Sequence, residues 1–179
     1  MPINSKSCFV LALTILVLTS CAAASTNGDV LSISVSGLDI RLMSTERLQA
    51  EKVVGKPSKQ EYFKNGQEDF AWTDFFVYSY LDDRLRLHVD AKTEKIIRIS
   101  VRLDSDLDVK LPMGISKNSS LSQAKDGFKK FGIAESYSNG RFLMGRYQPT
   151  SEKPAVIFSI WFNDAGRPTW YDIYYEKSW

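Results

Sequence analysis

The sequence predicts an α+β domain in which a short helix followed by three antiparallel strands occurs twice. Three observations lead to this prediction. Short helical patterns end at Gly55 and Gly132, a stretch of alternating apolar residues follows each one, and the order of elements is the same in both halves. This internal repetition indicates a tandem α-β-β-β repeat, with a first unit at 30–106 and a second unit at 107–179.

The first 20 residues have the layout of an export signal. Lys6 precedes an apolar run over 8–18, which is too short to span a bilayer at the roughly 20 residues that a transmembrane helix needs. The following LTSC resembles the bacterial lipobox, which implies that Cys21 is acylated and becomes the first mature residue. Because Ala22 follows, the resemblance implies the outer membrane, with the chain facing the periplasm. The alternative is an ordinary cleaved signal in which Cys21 is incidental.

The composition of the mature chain excludes several classes of protein. Residues 21–29 are small and lack periodicity, which predicts a flexible tether. With Cys8 in the signal and Cys21 acylated, no thiol is left for disulfides, thiolate catalysis or cysteine-bound zinc. The net charge of +2 falls to +1 when Lys6 leaves with the signal, which gives no electrostatic bias towards nucleic acid, so no nucleic-acid partner is expected.

The first unit begins with VLSISVSGLDIRLM, whose alternation and Ser-Gly break predict a strand or hairpin. STERLQAEKVVGKP predicts a helix with Ser44 and Thr45 as cap candidates, ending at Gly55. After the polar loop KNGQED come three predicted strands, TDFFVYSY, RLRLHVD and KIIRISVRL. Asp82-Asp83 and Lys92-Thr93 supply the turns between them.

The second unit repeats this order. SLSQAKDGFKKFG starts at Ser120 and places Leu121, Ala124, Phe128 and Phe131 on one helical face. The strands RFLMGRYQ, AVIFSIWF and RPTWYDIYY follow, joined by TSEKP and NDAG. The segment DSDLD lacks the glycine and glutamate of a calcium loop, and it is interpreted as a solvated linker between the units.

A sheet with helices on one face leaves its other face open, and the alternation indicates which residues lie there. In KIIRISVRL the pattern assigns Ile97, Ile99, Val101 and Leu103 to the core, and Ile96, Arg98, Ser100 and Arg102 to the open face. In the other strands, the same alternation places large aromatic and guanidinium groups outside the core.

These residue types dominate protein–protein contacts, because they combine a large area with a polar tip. The alternative is that they only coat the sheet and shield the layer beneath. The candidate partner-binding residues are Tyr78, Tyr80, Arg84, Arg86, His88, Arg98, Arg102, Trp161, Trp170 and Tyr174.

The sequence lacks the common catalytic motifs. His88 is the single histidine and has no evident catalytic partner, and no nucleophile elbow, zinc-binding H-E-x-x-H pair, P-loop or dinucleotide fingerprint occurs. We therefore expect a protein that is not an enzyme and that carries neither a cofactor nor a metal. Paired carboxylates for glycoside hydrolysis stay open, because their separation depends on the fold.

The helix running into GKP, the strands and the closing FSIWFNDAGRPTWYDIYY resemble the β-lactamase-inhibitor-protein-like fold. That fold is also similar to a small lipoprotein of the outer-membrane barrel assembly machine, which has one copy of the unit. The resemblance covers about residues 30–176 and implies protein binding through the open, concave sheet face. The secreted inhibitors carry disulfides and this chain does not, so inhibition of a β-lactamase does not carry over.

The expected function is that of a lipid-anchored periplasmic protein that binds and inhibits a partner enzyme. The leading hypothesis is an immunity protein against a secreted toxin that acts on the membrane or cell wall, such as a phospholipase effector of type VI secretion. A nearly neutral charge fits such a target better than a nuclease. The alternative is an outer-membrane assembly or scaffold lipoprotein.

Overall fold

A computed structural model describes residues 30–65, 73–151 and 154–176. The predicted signal, Cys21 and the tether lie outside the described residues. The described ranges contain two α-helices, α1 (Arg47–Val54) and α2 (Leu121–Lys130), and one short 3-10 helix (Pro112–Gly114). Their strands are β1 (Ser32–Val35), β2 (Leu38–Arg41), β3 (Lys59–Phe63), β4 (Phe75–Tyr80), β5 (Leu85–Asp90), β6 (Ile96–Arg102), β7 (Val109–Lys110), β8 (Ala134–Ser138), β9 (Phe142–Tyr147), β10 (Val156–Phe162) and β11 (Pro168–Tyr175).

Eight of these strands form one antiparallel sheet in the order β3-β4-β5-β6-β11-β10-β9-β8. The strand order is symmetric, with the last strand of each half, β6 and β11, paired at the centre. A smaller sheet has the order β2-β1-β7. The α+β class with antiparallel strands is thereby confirmed.

Each helix is followed by four strands of the large sheet, one more than the pattern predicted. The additional strands, β3 and β8, are its two edges. Both have the burial of edge strands, exposed at every position except the last. Because neither face of such a strand is buried, its sequence carries no apolar alternation, and the strand signal is missing.

The helices and the small sheet pack on one face of the large sheet. The core between these layers includes Ala50 of α1, Ala124 and Phe128 of α2, and Ile33 and Val35 of β1. We call the other face the open face, because none of the described helices or small-sheet strands is packed over it. Met43, between β2 and α1, packs against the Phe75, Val77 and Ile97 cluster on this face. No helix in the described ranges is long and apolar enough to cross a membrane.

The two helices begin with the same device, although only one begins where the sequence predicted. Ser120, where the sequence predicted the helix to start, is the cap of α2. Its hydroxyl accepts from the backbone N–H of Gln123, and the side chain of Gln123 accepts from the backbone N–H of Ser120. In α1 the cap is Glu46 with Gln49. Thr45 instead accepts a hydrogen bond from the backbone of Arg41, so this hydroxyl fixes the preceding turn.

A β-bulge in β6 corrects the predicted faces of two isoleucines. His88 pairs with Arg98 and the next residue of β5, Val89, pairs with Ile96, so Ile97 is the extra residue. Ile96 therefore packs in the main core, and Ile97 joins an apolar cluster with Phe75 and Val77 on the open face. A bulge shifts the alternation by one residue, which a strict period of two cannot predict.

Candidate binding surface on the open sheet face

Seven of the ten candidate residues lie on the open face of the central strands. Cross-strand pairing brings them into neighbouring rows, with Trp161 opposite Trp170, Trp170 opposite Arg102, and Tyr174 opposite Arg98. The residues that the structure brings together in this way are Arg86, His88, Arg98, Arg102, Trp161, Trp170 and Tyr174.

Tyr78 and Tyr80 were wrongly included with this surface. They pair with Leu87 and Leu85 of β5, and therefore lie on the face that the helices cover. Tyr80 is fully buried, and burial raises the pKa of its hydroxyl. These tyrosines belong to the core because the parity of β4 sets Phe75, Val77 and Ser79 on the open face instead.

Arg84 lies at the turn before β5 and forms an ion pair with the DSDLD segment that links the two halves. Its guanidinium donates to the backbone oxygen of Leu81 at 2.7 Å and to Asp106 at 2.6 Å. Asp106 belongs to the DSDLD segment, so Arg84 has a structural partner within the chain. Its side chain does not line the depressions described below.

A buried ion pair occupies the centre of the face. Asp172 is 1 % exposed, and its two oxygens accept from Arg98 Nε at 3.3 Å and Arg98 Nη2 at 3.0 Å. The guanidinium also lies 5.1 Å from the ring centroid of Tyr174. Small residues flank the carboxylate, since Ser100 and Ser159 are its neighbours on the adjacent strands. Arg98 is thus held in one orientation from two sides.

Two further arginines are held in the same way. Arg86 donates through Nε and Nη2 to Asp83, and Arg102 donates through Nε and Nη2 to Asp104. Arg86 also lies 5.4 Å from the ring centroid of Trp170. The Arg86 hydrogen bonds, together with one from Ser79, lower the pKa of Asp83 to about 2. All three central arginines therefore have a carboxylate of this chain beside them.

His88 lies beneath this layer of arginines. It is 8 % exposed, and its ring stacks on Phe75 with 5.6 Å between centroids. Burial, with the charges of Arg98 and Arg86, lowers its pKa well below the usual value. This buried imidazole packs on Phe75 and contributes to the lining of the hollow described below.

An aromatic ridge runs along one end of the open face, and we define it as Tyr137, Phe142, Trp161 and Trp170. The rings of Tyr137 and Phe142 are 6.0 Å apart, and those of Phe142 and Trp161 are 4.8 Å apart. Tyr137 is 50 % exposed and Trp161 is 37 % exposed. The sequence did identify both tryptophans. Tyr137 and Phe142 were missed, because β8 was not predicted and the faces of RFLMGRYQ were not assigned.

Next to the ridge, the face is hollowed into a depression of about 590 Å³. Its lining consists of Arg86, His88, Arg98, Ser100, Trp161, Thr169, Trp170 and Asp172. Two adjoining depressions, of about 450 and 520 Å³, share Arg86 with the first, so the hollow continues across neighbouring strands. The hollow forms where short serines of central strands lie between rows of large side chains.

The surface offers flat rings, fixed guanidinium groups and buried hydroxyls around one hollow. Such a set suits the binding of a polypeptide surface, since aromatic and arginine side chains supply most of the energy at protein interfaces. Among the described residues, no group of three or more His, Cys, Asp or Glu side chains could hold a metal ion.

Comparison with protein-family models, curated proteins and solved structures found no match to this chain. The resemblance to the β-lactamase-inhibitor-protein-like fold stays a prediction from the sequence pattern. The candidate function therefore depends on the geometry of the open face.

Proposed function

We propose that this protein binds a partner protein through the open face of its large sheet, and that the partner is an enzyme which it inhibits. In this proposal the chain is held in the cell envelope by a lipid on Cys21 and faces the periplasm. The partner is a toxin that acts on the membrane or cell wall, and the chain acts as its immunity protein.

One observation carries this proposal. The open face presents the exposed aromatic ridge beside a hollow, and none of the described elements covers it. On the opposite face of the sheet, large apolar side chains are packed beneath the helices. On the open face, the cluster of Phe75, Val77 and Ile97 is itself buried. An exposed apolar patch rimmed by polar groups is typical of an interaction surface. An inhibitor needs no catalytic group, only a rigid complementary surface.

Competition between sibling cells tests this function. A strain that lacks the gene should lose viability when mixed with its parent, and the intact gene should restore it. The variant Trp161→Ala should fail to protect, because truncating a central aromatic anchor weakens a complex by roughly 2 kcal/mol or more. Leu48→Ala is the matched control, since Leu48 is an exposed apolar residue of α1, on the covered side of the sheet.

Two results would contradict the proposal. If the deletion strain survives equally well with and without its parent, the protein does not act as an immunity protein. Damage to the outer membrane in pure culture, with no competitor present, would favour the scaffold alternative instead.

A further inference from the structure

The three arginines around the hollow are balanced by carboxylates of the same chain. Arg86, Arg98 and Arg102 each form an ion pair, with Asp83, Asp172 and Asp104 respectively. Three positive side chains therefore meet three negative ones. Across an interface, selectivity for an acidic or basic partner comes from complementary charge on the two surfaces. The three arginines around the hollow therefore offer no excess charge.

The geometry of the pairs strengthens this conclusion. Each of the three guanidinium groups uses its Nε and Nη2 atoms on its own carboxylate. An incoming carboxylate would have to share a guanidinium with Asp83, Asp104 or Asp172, at the cost of repulsion between like charges. An incoming cation would meet the arginines. A peptide carbonyl has no net charge and can accept from the Nη1 donors of Arg86 or Arg102.

The aromatic ridge supplies an apolar contact surface, which the ion pairs do not. Trp161 and Phe142 are in ring contact, and Trp161 lies beside the hollow of about 590 Å³. That volume falls within the roughly 300–1,000 Å³ of typical ligand pockets, so one large side chain can enter it. An aromatic side chain placed there would pack edge to face on the ridge.

We infer that the partner meets this face with an uncharged loop that inserts an aromatic side chain into the hollow beside Trp161. The inference rests on the proposed function and specifies the chemistry of the partner. The occupant is a neutral protein segment, rather than an acidic or a basic one.

Titration of short peptides into the ¹⁵N-labelled protein tests the inference. The probes are acetylated and amidated Gly-Trp-Gly, Gly-Glu-Gly and Gly-Lys-Gly, with a trimer of N-acetylglucosamine run in parallel. The tryptophan peptide should shift the indole N–H signals of Trp161 and Trp170, and should bind roughly tenfold more tightly than either charged peptide. Phe142→Ala should weaken this binding, and Leu48→Ala should leave it unchanged.

Two outcomes of the titration would overturn the inference. One is binding of the glutamate peptide or the sugar at least as tightly as the tryptophan peptide. The other is the absence of any shift at Trp161 with all four probes. If Trp161→Ala abolishes protection between siblings while the glutamate peptide binds best, the inference fails and the proposed function stands. If Trp161→Ala protects fully while the tryptophan peptide binds, the function fails and the peptide site stands.

Discussion

Among the described residues, Asp172 is the most buried carboxylate. Its carboxylate is almost wholly buried and both of its oxygens contact Arg98. The sequence identified Arg98 as a binding candidate, but it could not show that Asp172 lies opposite, since the two residues come from different halves of the chain. Arg98 therefore has a structural role in addition to any role in binding.

We expect Asp172→Asn to lower the free energy of unfolding by about 3 kcal/mol, because removing one member of a buried pair leaves the other uncompensated. Urea denaturation measures this change. Asp104→Asn is the matched control, since Asp104 forms a similar bidentate pair with Arg102 nearer the solvent. The Asp104→Asn variant should lose much less free energy of unfolding than Asp172→Asn. Equal losses would show that burial of Asp172 contributes little.

His88 predicts how the stability depends on pH. Its pKa is lowered in the folded protein, chiefly by burial and then by Arg98 and Arg86. The unfolded chain, with a histidine pKa near 6.5, then binds a proton more readily than the folded chain. Stability should therefore decrease as the pH falls below about 6.5, and be fully present above it.

Comparison of His88→Gln with the native chain, in urea at pH 8 and pH 5.5, isolates this effect. The native chain should lose more stability between these two pH values than the variant does. Because the chain has one histidine, its imidazole signals in an NMR titration are unambiguous. A midpoint at or above 6.5 in the folded protein would contradict the placement of His88.

At the scale of elements, the packing of α2 on β9 depends on Gly145. A Cβ added there would lie 2.5 Å from the side chains of Phe128 and Ile133. Phe128 is buried against Phe158, so its ring has little room to move. We expect Gly145→Ala to destabilise the fold by about 1–3 kcal/mol, the usual cost of overpacking.

Gly140→Ala is the control for this substitution, because a Cβ at Gly140 meets nothing within 4 Å. Thermal or urea unfolding should show a change near zero for Gly140→Ala. A Gly145→Ala variant as stable as the native chain would mean that Phe128 does not lie against the backbone of β9.

The sequence predicted those elements that bury one face. The hairpin of β1 and β2, the start of helix α2 at Ser120, and the alternation of core and outward residues in β5 and β10 follow from periodicity and turn chemistry. It missed the edge strands β3 and β8, which are almost wholly exposed, and the bulge at Ile97, which breaks the alternation. Tyr78 and Tyr80 were misplaced because their strand carries large apolar groups on both faces.

At the scale of the whole molecule, the two halves form one sheet, and each half contributes different residue types to the open face. The second half supplies the aromatic ridge on β8–β11, and the first half supplies Arg86, His88, Arg98 and Arg102 on β5 and β6. The symmetric strand order brings these two chemistries together at the β6–β11 seam. The hollow beside this seam is lined by both halves.

If the ridge serves binding and contributes little to the core, its loss should leave the fold intact. We expect Trp161→Ala to reduce the free energy of unfolding by about 1 kcal/mol, because a third of the side chain is already exposed. Phe158→Ala, on the covered face of the same strand, should cost about 3–5 kcal/mol. A loss of cooperative unfolding in Trp161→Ala would show that the ridge is part of the core.

Site-specific photocrosslinking in living cells tests most directly whether the open face meets a partner. A benzophenone amino acid replaces Trp161 in one strain and Leu48 in another, and each strain is irradiated in contact with its siblings. We predict a discrete crosslinked protein partner from position 161 and none from position 48. Crosslinks from position 48 with none from position 161 would contradict the assignment of the open face as the binding surface.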